Sequence, residues 1–209
     1  MTHDHDDHEH HHDHDDPLRR GQAIRAEALE AILIDKGLLT ETEVDHYLET
    51  WNERIGPMIG ASVVARAWID DGFRDRLLAD ATAAVTEVGV NPGRLERLEV
   101  VANGPGLHNV VCCTLCSCYP WTILGLPPAW YKSPEYRSRI VREPRAVLEE
   151  MGLALEPDVT IQVWDSSAEV RYLVLPERPA GTDHLTEDEL RELVTRDAMI
   201  GVARVEVDR

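Results

Sequence analysis

Residues 98–114 read LEVVANGPGLHNVVCCT, two apolar, β-branched runs (98–104 and 108–114) parted by the turn Gly104-Pro105-Gly106. Val-rich runs of this length, bounded by Gly and Pro, predict strands. Upstream, Asn91-Pro92-Gly93 closes a stretch whose pattern is helical. From Leu18 to Lys36 the apolar residues Ile24, Ala28, Leu29, Ile32 and Leu33 recur at helical spacing, and Gly37 stands where a left-handed C-terminal residue belongs. Thr40 with Glu43 makes a capping box opening a second helix to about Arg54, and further helices are expected over 58–68 and 73–88. Downstream, a helix perturbed by Pro144 is expected over 133–150. Strands follow at 159–165 (VTIQVWD) and 169–176 (EVRYLVLP), then a helix from Thr186, paired with Glu189, to about Arg196. Helices first, then mixed strands and helices, predict an α+β fold: a helical N-terminal arm over 18–90 and a mixed α/β domain over 91–209.

The 209 residues are enough for one domain of ordinary size plus an arm. Lys and Arg total 21 against 39 Asp and Glu, a formal charge of −18, which argues against nucleic acid or an anionic membrane as the main partner. Residues 1–17 form a tail, MTHDHDDHEHHHDHDDP, whose His and carboxylates have almost nothing to bury and predict disorder and metal collection. With no apolar run of membrane-span length and no secretory n- or h-region, a cytoplasmic location is expected.

All four cysteines fall within VVCCTLCSCYPW, as Cys112, Cys113, Cys116 and Cys118. Such clustering points to metal or redox chemistry, because neighbours this close gain little by bridging. A zinc site would use Cys113, Cys116, Cys118 and His108, although structural zinc usually draws on two separated knuckles. A redox CxxC would pair Cys113 with Cys116, but the βαβ context is missing. The third reading follows from chelation: Cys116-Ser117-Cys118 can offer two sulfurs and the two intervening amide nitrogens in one plane. Cys113 would be axial and a sixth position open. Donors of that strength suit trivalent low-spin cobalt or iron, a Lewis acid for a nitrile or hydroxide.

CTLCSC (113–118) with the following YPW resembles the metal-claw motif of the nitrile hydratase α subunit. The likeness continues through LGLPPAWYKSPEYRSRIVREPR (124–145), VWDSSAEVRYLVLPERPAGTD (163–183), TRDAMIGVA (195–203) and, more weakly, IGPMIGASVVARAWID (55–70). Thr114 is what cobalt-type members carry, so the resemblance implies Co(III) rather than Fe(III). It further implies Cys113 as axial thiolate, Cys116 as sulfinic and Cys118 as sulfenic acid, and the amide nitrogens of Ser117 and Cys118 as in-plane donors. Cys118 and Ser117 would serve catalysis, the sulfenate oxygen being a nucleophile, and Trp121 would line the substrate pocket. A β subunit would supply arginines to the oxidised cysteines, the substrate would be a small nitrile, and an activator protein for cobalt insertion is a further candidate partner. Arg171 would brace the metal loop.

Two positions depart from the family. Many members have Gln 19 residues before the first metal Cys, where this chain has Arg94, and Cys112 replaces a usual Val. Strand alternation would turn Cys112 away from Cys113, as a buried inert thiol. The alternatives are the γ subunit of thiocyanate hydrolase, which shares the claw, and a cobalt-storing or metal-trafficking protein built around the tail.

Overall fold

A computed structural model describes residues 17–45, 56–90, 97–116 and 118–207. The chain divides into two compact units, Met1–Glu49 and Thr50–Arg209. In the first, helix α1 (Pro17–Asp35) ends as Gly37 predicts. Gly37 has φ +64°, its N–H reaches Ile34 O at 2.9 Å, and Leu38 N–H reaches Leu33 O at 2.9 Å, which together close a Schellman motif. Ile24, Leu29 and Ile32 remain exposed. Thr40 and Glu43 form the expected reciprocal cap on a helix described over 41–45. Its expected continuation to Arg54, like the tail, lies outside the described residues.

The second unit begins with α2 (Pro57–Ile69), which buries Gly60, Ala61, Val63, Val64, Ala65 and Ala67. A helix whose inner face is this small permits close approach: a Cβ on Gly60 would press on Met199 Sδ at 2.7 Å. Helix α2, with α3 (Asp71–Ala79) and α4 (Ala81–Glu87), packs within the second unit, because its apolar residues are core residues. The single helix expected over 73–88 is two, since the Asp80 side chain accepts from Ala83 N–H and starts a new one.

The quoted run forms β1 (Leu98–Ala102) and β2 (Leu107–Cys112), and the later strands are β3 (Thr160–Asp165) and β4 (Arg171–Leu175). Each strand of the first pair takes its partner from the second. β1 lies parallel to β4 from Leu98↔Arg171 to Ala102↔Leu175, and β2 parallel to β3 from Leu107↔Thr160 to Cys112↔Asp165. Between β2 and β3 come α5 (Trp121–Leu124), a 3₁₀ turn (Ala129–Lys132), α6 (Pro134–Arg139) and α7 (Pro144–Glu150). The helix expected over 133–150 is broken at 140–143, because Pro144 has no N–H to continue it and instead begins α7. The helix from Thr186 has its capping box but stops at Leu193. This helix, α8 (Glu187–Leu193), is followed by a separate α9 (Arg196–Ile200), capped by Thr195. No helix among the described residues is long and apolar enough to cross a membrane.

Candidate metal centre

The register Cys112↔Asp165 ends the β2–β3 pair, and the chain then turns through Cys113 and the loop before α5. Buried Val110 and Val111 anchor the strand, so Cys113 leaves it fully buried, while Cys116 is exposed and Cys118 half-buried. Their sulfurs converge: Cys113 Sγ to Cys116 Sγ is 3.4 Å, Cys116 Sγ to Cys118 Sγ is 3.0 Å, and all three lie within 4.8 Å of one another. Cys116 N–H also points at Cys113 Sγ, at 3.3 Å.

The loop is held by groups far away in sequence. Asp165 accepts from Thr114 N–H at 2.9 Å and from the Thr114 hydroxyl at 2.5 Å. Arg137 Nη2 donates to Thr114 O at 2.9 Å, Tyr131 Oη to Cys118 O at 2.9 Å, and Tyr136 Oη to Val111 O at 2.8 Å. Burial pushes both phenols above their ordinary range, so they remain donors. None of these four side chains carries a signal of its own in sequence. Asp165 closes an apolar strand run, but only the β2–β3 pairing brings it to Thr114.

Burial, then the hydrogen bond from Cys116 and the charge of Cys113, push the Cys118 thiol up to about 12; Arg171 acts in the opposite direction. Arg171 thus lies within electrostatic reach of Cys118, and its Nη1 is buried without a hydrogen-bond partner among the described residues. Three sulfurs gathered this closely in a partly buried loop fit a cation, because a metal ion would offset the mutual repulsion of three thiolates. Soft sulfur donors at this density favour a transition metal over Mg²⁺ or Ca²⁺.

Trp121 opens α5, three residues beyond Cys118, and is 42% exposed. Ser117 and Arg94 lie outside the described residues. Cys112 is fully buried, with its thiol pushed up to about 12 by burial and then by the Asp165 and Cys113 charges, in keeping with an inert side chain. His108 does not join the cluster. It is buried in β2 and bonds through Nε2 to Gly201 O at 2.7 Å and through Nδ1 to Asn103 at 3.3 Å, which leaves no ring nitrogen for a zinc ion. Trp68 and Trp164 are anchors, donating to Pro176 O and Asn109 Oδ1 respectively, each at 2.8 Å.

A family model described as nitrile hydratase, alpha chain, matches residues 20–203. The low-molecular weight cobalt-containing nitrile hydratase subunit alpha of Rhodococcus rhodochrous is 55% identical over 181 residues, covering 87% of each chain. The thiocyanate hydrolase subunit gamma of Thiobacillus thioparus is 45% identical, over 84% of this chain and 76% of that one. Among solved structures, a double mutant of Fe-type nitrile hydratase from Comamonas testosteroni Ni1 matches with a TM-score of 0.77. It is 42% identical, over 91% of this chain and 92% of that one.

Proposed function

The chain belongs to the nitrile hydratase alpha-chain family, and from that premise we propose that it is the metal-bearing α subunit of a nitrile hydratase, converting a nitrile and water to the amide. The observation that carries the reading is the convergence of the Cys113, Cys116 and Cys118 sulfurs within 4.8 Å in a loop spelling CTLCSC. Cobalt would be held by these three sulfurs and by the amide nitrogens of Ser117 and Cys118. Thr114 and the cobalt-containing relative favour it over iron. When bound, it supplies Lewis acidity at an exchangeable position.

The protein's own groups do the rest. An external oxidant would convert Cys116 to sulfinic and Cys118 to sulfenic acid. The Cys118 oxygen is then a nucleophile toward the nitrile carbon, or a hydrogen-bond acceptor that orients a water for the same attack. The Ser117 hydroxyl would join that network. Trp121, partly exposed beside the loop, offers an apolar wall to the substrate. Arg171 braces the Cys118 side, and Arg94, at the sequence position of the usual Gln, would bring a cation to the surrounding network. A β subunit supplies arginines that pair with the oxidised sulfurs, an activator protein inserts cobalt, and the assembly works in the cytoplasm.

The test is mass spectrometry of the peptide spanning 108–132, from protein matured with cobalt and its partner, with metal content read on the same sample. One cobalt per chain and two added oxygens on Cys116 are expected. Unoxidised cysteines with zinc would overturn the reading. A second reading, a thiocyanate hydrolase γ-type subunit, rests on the relative at 45% identity and is separated by assaying nitrile and thiocyanate side by side. A storage role for the tail requires that protein lacking residues 1–16 lose its tightly bound metal, whereas the hydratase reading expects it to be retained.

A further inference from the structure

Three backbone carbonyls, that of Val111 at the end of β2 and those of Thr114 and Cys118 in the cysteine loop, accept hydrogen bonds from Tyr136, Arg137 and Tyr131. All three donors come from seven consecutive residues, the 3₁₀ turn and the start of α6. We propose that residues 131–137 are a mount that fixes the path of the loop before metal arrives, with Arg137 as its principal positioning residue; the role in metal capture rests on the function proposed above.

The geometry separates this from incidental packing. The three anchored carbonyls flank the sulfurs: Val111 precedes Cys113, Thr114 lies between Cys113 and Cys116, and Cys118 is itself a sulfur donor. Thr114 is the tightest point, because its remaining polar groups are both taken by Asp165. Among the described residues Arg137 is the one side chain that donates to the Thr114 carbonyl, and its own Nε is buried without a hydrogen-bond partner there. Removing it takes the Arg137 hydrogen bond from that carbonyl and loosens the turn that brings Cys113 and Cys116 together. The mount is stiff. Trp130 packs edge-on against Tyr136 with ring centroids 4.9 Å apart, and Tyr119 against Tyr131 at 5.0 Å. Side chains that orient metal ligands in this manner commonly change metal affinity when lost, without themselves touching the ion.

The experiment uses the full chain produced with its partner subunit and cobalt, comparing the parent with Arg137→Ala, Arg137→Lys, Tyr131→Phe and Arg139→Ala. Arg139 lies on the same helix but pairs outward with Glu143 and Glu150, so its variant is the control. Cobalt loss to EDTA should be about tenfold faster or more in Arg137→Ala. Its sulfur-to-cobalt charge-transfer absorption should weaken, while far-UV circular dichroism stays that of the parent. Arg137→Lys, which retains a donor, should recover part of the loss, and Arg139→Ala should match the parent. Parental cobalt retention and absorption in Arg137→Ala would overturn the proposal. If that variant fails to fold, Tyr131→Phe decides, since it removes one hydroxyl and keeps the ring, and parental retention there would equally overturn it. A parent that takes up no cobalt would sink the functional reading alone. The mount is then tested by amide exchange over 110–119 in the metal-free chain, which must be faster in Arg137→Ala than in the parent for the proposal to stand.

Discussion

Adjacent Cys112 and Cys113 are both fully buried, yet they meet different chemistry. Cys113 Sγ has another sulfur at 3.4 Å, while Cys112 sits in the strand ladder opposite Asp165 with its thiol held protonated. Cys118→Ser or Cys116→Ser should therefore abolish cobalt retention and nitrile turnover, by metal analysis and amide assay; turnover at the parental rate in either would refute the ligand assignment. Cys112→Val should leave both nearly unchanged, and a variant that loses its metal would show that Cys112 is more than core. His108 gives a pH prediction. Burial lowers its pKa from 6.5, opposed by the Gly201 hydrogen bond, so the folded state prefers the neutral ring. The unfolded chain takes up the proton first as pH falls. Stability is thus fully present above about pH 6.5 and is lost below it, by at most about 1.4 kcal/mol per pH unit, until the lower folded-state pKa is passed. His108→Gln, whose carboxamide can still donate to Gly201 O, should flatten that slope in urea titrations between about pH 7 and pH 5. Equal slopes would show that His108 does not govern it.

At the scale of elements, α9 ends at Gly201, whose φ is +91° and whose Cβ, if it had one, would run into the Asn109 carbonyl and lie 2.9 Å from Val110 Cα. Gly201→Ala should thus strain the backbone and push α9 off β2, costing about 3 kcal/mol or more in a denaturant titration. A loss under about 1 kcal/mol would mean that the contact relaxes freely. Helix ends such as Gly37, Thr40 and Thr186 were legible in the sequence because capping is local: the groups that satisfy one another lie three or four residues apart. The four strands were legible for the same reason. Their pairing was not, since nothing within LEVVANG states that its partner lies 73 residues away at Arg171 rather than across the Gly-Pro-Gly turn. The site divides likewise. The cysteines announce themselves by spacing, whereas Asp165 and Arg137, 51 and 23 residues from Thr114, act on it only through the fold.

At the scale of the molecule, the stretch that carries the sulfurs also carries large apolar side chains that are exposed. Leu115 is 85% exposed, Leu126 65% and Trp121 42%. A large apolar residue inside a tight cysteine loop gains nothing by facing water, and exposed apolar side chains this close in sequence suit a surface that another chain covers. This agrees with an α subunit that works with a β subunit, and Leu115, between Thr114 and Cys116, would carry that contact to the cysteine loop. Leu126→Glu tests the link without touching a sulfur donor: Leu126 makes its described hydrogen bond through its carbonyl, to Arg196 Nη1 at 3.0 Å, which the substitution leaves in place. The stability of the isolated chain should change by no more than about 0.5 kcal/mol, because an exposed side chain is exchanged for another. Association with the β subunit should weaken by about tenfold or more, since a carboxylate would be desolvated where an apolar group was buried. Sedimentation of the two chains across a concentration series reads that change directly. Unaltered association would move the β-subunit contact away from Leu126, while lost association together with a destabilised chain would mean that Leu126 supports the fold.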